Sequence, residues 1–264
     1  SLSVQGPMAR TVGDLALALD AMAGHCLHDP MTFDAPALSF SAAVARPTAP
    51  RRVAFTADYN GRMAIDHDVR EICTKMARRF EELGCIVEEA SPDIGAIDDA
   101  FLNLRSQAFV VDRELQLEEH RDKIKPDIIW NTERGLAQTP SAIAWAERER
   151  AAFYRRIVEF FQIYDLLVTP GSPTAAFDVM LRHPETIAGK KPENYMAGST
   201  VNSVITLSSC PAIAAPCGFD QHGRPVGLQL VGKPRGEAAL LQAAALYEQL
   251  VGLDRLLPID PKPG

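Results

Sequence analysis

Pro211-Ala212-Ile213-Ala214-Ala215-Pro216-Cys217-Gly218-Phe219 is followed, across Asp220-Gln221-His222, by Gly223-Arg224-Pro225-Val226-Gly227-Leu228-Gln229-Leu230-Val231-Gly232. Both runs are short, apolar and bounded by turn residues. Asp220-Gln221-His222-Gly223 between them reads as a turn, so the spacing predicts strands over 212–215 and 226–231 joined as a hairpin. Their alanines and glycines let helices approach closely, which predicts that both strands lie in the interior of a sheet.

Working upstream, Asp165-Leu166-Leu167-Val168-Thr169-Pro170 has the composition of a buried strand ended by proline. Thr139-Pro140 opens a helix with proline at its first position, and Ile143, Trp145, Phe153, Ile157 and Phe161 run along it. Residues 97–119 are helical in pattern, and a polar stretch follows them. Nearer the start, Val53-Ala54-Phe55-Thr56 reads as a strand. A helix capped by Asp66 or Asp68 follows, with an apolar face of Val69, Ile72, Cys73, Met76, Phe80 and Leu83. Gly84 ends it and Cys85-Ile86-Val87 is a second strand, a crossover that favours parallel pairing. Thr11-Val12-Gly13-Asp14 is a capping box ahead of Leu15, Ala16, Leu19 and Met22. Residues 31–50 and 175–192 read as loops. Residues 196–209 are helical in part, and Glu237 to Leu250 is an amphipathic closing helix. The fold class is α/β, a mixed sheet flanked by helices.

Composition bounds the function. The chain has 264 residues, 47% hydrophobic and 23% charged, which suffices for a full core. A net charge of −7 without long Lys/Arg runs repels a phosphate backbone, so nucleic acid is an unfavourable partner. No apolar run is long enough to span a bilayer, so no membrane partner is expected. Cys26, Cys73, Cys85, Cys210 and Cys217 are widely spaced with no CxxC, which fits thiols in a reducing, cytoplasmic setting. The opening residues do not have the character of a signal peptide.

Most chemical motifs are absent. There is no GxGxxG, no GxxxxGK[ST], no HExxH and no GxSxG, and no cofactor is implied. His25-Cys26-Leu27-His28-Asp29 offers metal-ligand types, but with no second ligand pair at usual spacing it reads as polar loop. Cys210 and Cys217 read as packed thiols, and Ser208-Ser209 as a polar pair closing a helix. The metal and catalytic residue sets are therefore empty.

Four segments together resemble the amidase signature family. Gly6-Pro7-Met8-Ala9-Arg10-Thr11-Val12-Gly13-Asp14-Leu15-Ala16, continued by Ala23-Gly24 and Asp29-Pro30, is similar to the segment after that family's catalytic region. Asp165 to Thr174 resembles its Leu/Val-Thr-Pro strand. The 211–232 hairpin is the most specific match, and Glu237, Leu240-Leu241, Ala244 and Tyr247-Glu248 close the pattern. The order and separations fit nearly the whole chain. The resemblance implies an incomplete amidase-signature sheet, with residues 1–264 as the C-terminal portion of the domain. It implies a Ser–cis-Ser–Lys triad in which one serine attacks the amide carbonyl and the second relays protons to a neutral lysine. Those pieces would lie N-terminal to everything matched, and this sequence has no Gly-Gly pair and no Gly-Ser-Ser run. Where the family often has an Asn-Leu-Thr-Gly-like stretch, this chain has Thr206-Leu207-Ser208-Ser209-Cys210, which leaves substrate preference open among small, peptide, lipid, carbamate-like and glutaminyl-transfer substrates.

Two functions fit. The chain is part of an amide hydrolase acting on a small-molecule carboxamide, completed by the N-terminal half of the same enzyme. Alternatively it is a non-catalytic scaffold or partner-binding fragment. In the enzymatic case residues 198–209 line the substrate side of the pocket, with Asn202, Thr206 and Ser209 as substrate-binding residues. The isolated chain is expected to be inactive, and an apolar face left uncovered would favour a homo-oligomer.

Overall fold

The computed structural model describes Leu2 and residues 4–252. Ser1, Ser3 and residues 253–264, which the expected domain includes, lie outside the described residues. One five-stranded sheet organises the chain. Its strands are β1 (Arg52–Phe55), β2 (Ile86–Glu89), β3 (Leu166–Pro170), β4 (Ala212–Phe219) and β5 (Pro225–Val231), in the order β2-β1-β3-β5-β4. The first three are parallel, and β5 runs antiparallel to both β3 and β4. The sheet is mixed because the first connections pass through helices whereas 220–224 is too short for anything but a hairpin.

Each helix starts where local chemistry permits. In α1 (Val12–Met22), Thr11 Oγ1 accepts from Asp14 N at 3.1 Å and donates to its carboxylate at 2.9 Å. In α6 (Pro140–Ile163), Thr139 Oγ1 accepts from Ala142 N at 3.2 Å ahead of the expected N1 proline. Asp66 precedes α3 (His67–Arg78) but makes no side-chain cap. Its carboxylate instead accepts from Ala188 N at 2.6 Å and ties down the 175–192 loop. Gly84 takes a left-handed φ of 81° and turns the chain into β2. The closing helix, α8 (Glu237–Val251), packs on β4, β5 and α1. There Tyr247 stacks on Phe80 with ring centroids 5.4 Å apart.

Three sequence expectations change. The 31–50 segment contains α2 (Phe40–Ala45). Ser39 caps it locally, its Oγ accepting from Ala42 N at 3.1 Å, and the Asp20 carboxylate of α1 accepts from Phe40 N and Ser41 N at 2.6 and 3.0 Å, supplying a carboxylate to the donor end of a helix. The Ser41 side chain first, then these backbone bonds from Ser41 and Phe40, outweigh burial and hold the Asp20 carboxyl below its usual range. The polar stretch after α4 (Ile97–His120) contains α5 (Pro126–Leu136), which packs antiparallel to it as a helical hairpin. The residues α5 buries most fully are Asn131 and Thr132, so hydrophobic periodicity had no purchase on it. Finally, the hairpin strands are adjacent as expected, but only β5 is interior. β4 is the edge strand, with Ala212, Ala214, Pro216 and Phe219 exposed. Small residues can mark a surface to be covered as well as a packed one, and the sequence does not separate the two.

Candidate active-site wall

Cross-strand register builds the site. Thr169 of β3 pairs with Gln229 of β5, and Gln229 pairs with Ala214 of β4, so the three side chains form one row across one sheet face. Over this row lies α7 (Thr200–Ser208), entered through the 3-10 turn Tyr195–Ser199. Asn202 is exposed on α7 and its Oδ1 accepts from Gln229 Nε2 at 3.4 Å. One turn later Thr206, half-buried, donates to the Asn202 carbonyl at 3.0 Å. Thr169 is fully buried with its hydroxyl facing that of the buried Tyr59, whereas Gln229 Oε1 is buried without a hydrogen-bond partner among the described residues. Unmet buried polar atoms are rare and call for an explanation. Here Gln229 Oε1 is one, on the strand next to the open edge strand β4.

Asn202 and Thr206 are therefore brought together, as their i,i+4 spacing requires. Ser209 is not part of that pair. It occupies the left-handed cap of α7 (φ 56°) and lines a shallow groove of about 360 Å³ against α6, together with Glu147, Tyr154, Arg155 and Leu207. Thr169 and Gln229 were missed by sequence reasoning. Their signal was present in two polar residues inside otherwise apolar strands, Leu-Leu-Val-Thr-Pro and Gly-Leu-Gln-Leu-Val.

The hydroxyl and thiols considered as nucleophiles have structural duties. Ser208 Oγ is fully buried, donates to the Ile205 carbonyl at 2.6 Å and accepts from Cys210 N at 3.1 Å. Burial pushes the Cys210 thiol up to about 11, so it is a poor thiolate source at neutral pH. Cys217 is buried against Cys73, with the sulfurs 4.0 Å apart. Among the described residues no lysine or histidine is hydrogen-bonded to any of them. Below the hairpin, Asp220 accepts from His222 N and Arg224 N, and its carboxylate holds Arg224 Nε at 2.6 Å. Burial pushes that carboxyl up, but these bonds outweigh it and the group sits below its usual range. Arg224 also donates to the Ala176 carbonyl at 2.8 Å, so this ion pair is a strut between the turn and the 175–192 loop.

The arrangement is a mixed α/β fold in which one sheet face and one helix form a polar surface, with no serine or cysteine hydrogen-bonded to a base among the described residues. The chain belongs to the amidase family, whose sequence pattern, described as Amidase, it matches over residues 1–241. It is 29% identical to a glutamyl-tRNA(Gln) amidotransferase subunit of Moorella thermoacetica, an alignment covering 98% of this chain and 56% of that one. It is 30% identical to an acylamidase of Rhodococcus erythropolis over 92% of this chain and 51% of the relative. Among solved structures, a bacterial aryl acylamidase of the amidase signature family superposes with a TM-score of 0.82 at 22% identity, covering 96% of this chain and 55% of that one. A 6-aminohexanoate cyclic dimer hydrolase complexed with substrate gives 0.80 at 21% identity, covering 95% and 55%. These two likenesses establish the fold. The chain spans about half the length of the curated relatives it matches. Among the described residues no helix is long and apolar enough to cross a membrane.

Proposed function

We propose that this chain is the C-terminal part of an amide C–N hydrolase and forms one wall of its substrate site. Asn202, Thr206, Gln229 and Thr169 would orient a neutral carboxamide, which needs both donors and acceptors and no formal charge. The observation that carries this is the unmet buried Gln229 Oε1, on an amide that also reaches Asn202, beside the uncovered edge strand β4. Ser209, in its separate groove, is proposed as a second contact further from the reacting bond. The attacking serine and its lysine base would come from an N-terminal half that lies against β4 and completes both the sheet and the pocket. Until it does so, the apolar side chains at the surface, such as Met8, Leu17 and Phe219, favour self-association. The working compartment we propose is the cytoplasm, in keeping with five free cysteines.

Amide hydrolysis requires an activated nucleophile and preorganised oxyanion donors, which together supply many of the ~8 kcal/mol or more that separate enzymes from water. The chain alone should therefore hydrolyse no aryl amide above background. Joined to an N-terminal half carrying the catalytic serines and lysine, in one polypeptide or by mixing, it should turn over. In that assembly Asn202→Leu and Thr206→Leu should change relative kcat/KM between amides while leaving Tm within a degree or two. Activity of the isolated chain that survives Ser208→Ala and Ser209→Ala would place a nucleophile elsewhere in these residues. No activity in any combination would favour the scaffold reading.

A further inference from the structure

The α4–α5 hairpin and the turn leading into α7 hold a second polar cluster, away from the Thr169–Gln229 row. Asn131 Nδ2 donates to the Asp127 carbonyl at 2.7 Å and also to Tyr195 Oη. The first bond fixes the amide: the nitrogen faces Asp127 and Tyr195, and Oδ1 is left as a buried acceptor without a partner. Arg105 Nη2 approaches the same phenol oxygen at 3.4 Å. With two donors directed at its oxygen, Tyr195 retains its own O–H proton to give.

The charges are equally unmet. Five half-buried arginines elsewhere have carboxylate partners: Arg52 with Glu88, Arg70 with Asp58, Arg79 with Glu82, Arg156 with Glu149 and Arg224 with Asp220. Arg105 and Arg134 are half-buried too, and neither forms an ion pair among the described residues. Arg105 lies 4.7 Å from the Phe109 ring centre and Arg134 lies 5.8 Å from that of Trp130. Arg134 also donates to Asn103 Oδ1 at 3.3 Å. The Nε of each is buried without an acceptor. Trp130 in turn meets Tyr195 edge-on, with centroids 5.9 Å apart. Two half-buried guanidiniums against aromatic rings and without a counter-ion leave their charge available to an anion.

We infer that Arg105, Tyr195 and Asn131, with Arg134 adding charge, form a binding site for the carboxylate of a small amide-containing acid. The carboxylate accepts from the Arg105 guanidinium, in a bond strengthened by its charge, and from the Tyr195 hydroxyl. An N–H beside the carboxylate donates to Asn131 Oδ1. This narrows the proposed substrate class to amides that carry an acid group, and rests on the proposed hydrolase reading only for its catalytic meaning. Binding needs no hydrolysis.

The test is calorimetric titration of the 264-residue chain with N-acetylglycine and with its uncharged twin N-acetylglycinamide, with Trp fluorescence as a second readout. The acid should bind saturably and at least about tenfold more tightly than the amide. Arg105→Gln and Tyr195→Phe should each weaken the acid by about tenfold and shrink the acid–amide gap. Arg105→Lys, which keeps the charge and loses the fork, should fall between. Arg113→Gln, on the same helix but exposed and bonded to Gln116, should leave affinity unchanged. Unchanged circular dichroism and Tm show that each variant is folded. Equal binding of acid and amide, no saturable binding of either, or full affinity in both Arg105→Gln and Tyr195→Phe would overturn the inference. Acid binding without hydrolysis in any assembly would leave this site standing and remove the hydrolase reading.

Discussion

Replacing Gly135 by alanine should destabilise this protein, although alanine is the better helix former. Gly135 lies in the last turns of α5, where the change would ordinarily stabilise by up to about 1 kcal/mol. A Cβ at this position, however, would lie 2.3 Å from the Ser106 carbonyl oxygen and 2.5 Å from Val110 Cγ2 of α4. Carbon–oxygen contacts settle near ~3.3 Å, so the two helices would have to part by about 1 Å. The obstacle is backbone and cannot rotate away. Overpacking costs about 1–3 kcal/mol, and a backbone obstacle puts this case in the upper part, about 2–3 kcal/mol, which leaves a net loss of about 1–2 kcal/mol after a propensity gain of about 1 kcal/mol. For a chain of this size that is a fall in Tm of about 2–8 °C. The control is Gly13→Ala in α1, where the nearest atom to the new Cβ is Thr11 Oγ1 at an ordinary 3.8 Å, and where stability should hold or rise by up to about 1 kcal/mol. Paired thermal and urea melts read the two variants against the parent. If Gly135→Ala melts no lower than Gly13→Ala, the close approach of α4 and α5 is wrong, and with it the placement of Arg105 beside Asn131.

Further outcomes follow from the same geometry. Thr11→Ala removes the α1 cap and should cost about 1 kcal/mol in a urea melt, with Thr11→Ser restoring most of it. For Asp165, burial pushes the carboxyl up, but bonds from Arg52 N, Lys233 and Arg51 N outweigh it and hold the group below its usual range. Its folded pKa is thus the lower one, so its contribution is complete above about pH 4 and is lost as pH falls through the folded value. Asp165→Asn should flatten the acid limb of a Tm-against-pH curve, and an unchanged limb would remove this residue from the account. Cys26 is exposed whereas Cys73, Cys85 and Cys217 are buried. Native-state alkylation followed by mass spectrometry should therefore label Cys26 first and the other three only in denaturant.

Local signals were sufficient wherever local chemistry decides. The Thr11 and Thr139 caps, the Gly84 stop, the 220–223 turn and the apolar strands at 53, 166 and 226 can each be read from a few neighbouring residues. Each satisfies its own hydrogen bonds or buries its own side chains within that span. The sequence by itself also determined the family, since four segments in order exclude chance better than any one of them. Only the tertiary structure decided the rest. α2 has a local Ser39 cap, but an aspartate 20 residues away also binds its first turn and ties it to α1. α5 is held by a buried asparagine and a glycine pressed on another helix. β4 is an edge because strand order depends on which partners a strand meets, not on what it contains. The same holds for the candidate wall. Thr169, Asn202 and Gln229 are far apart in the chain, and what makes them one surface is the register of β3 on β5 and the placement of α7 over it, both fixed by contacts that no local pattern encodes.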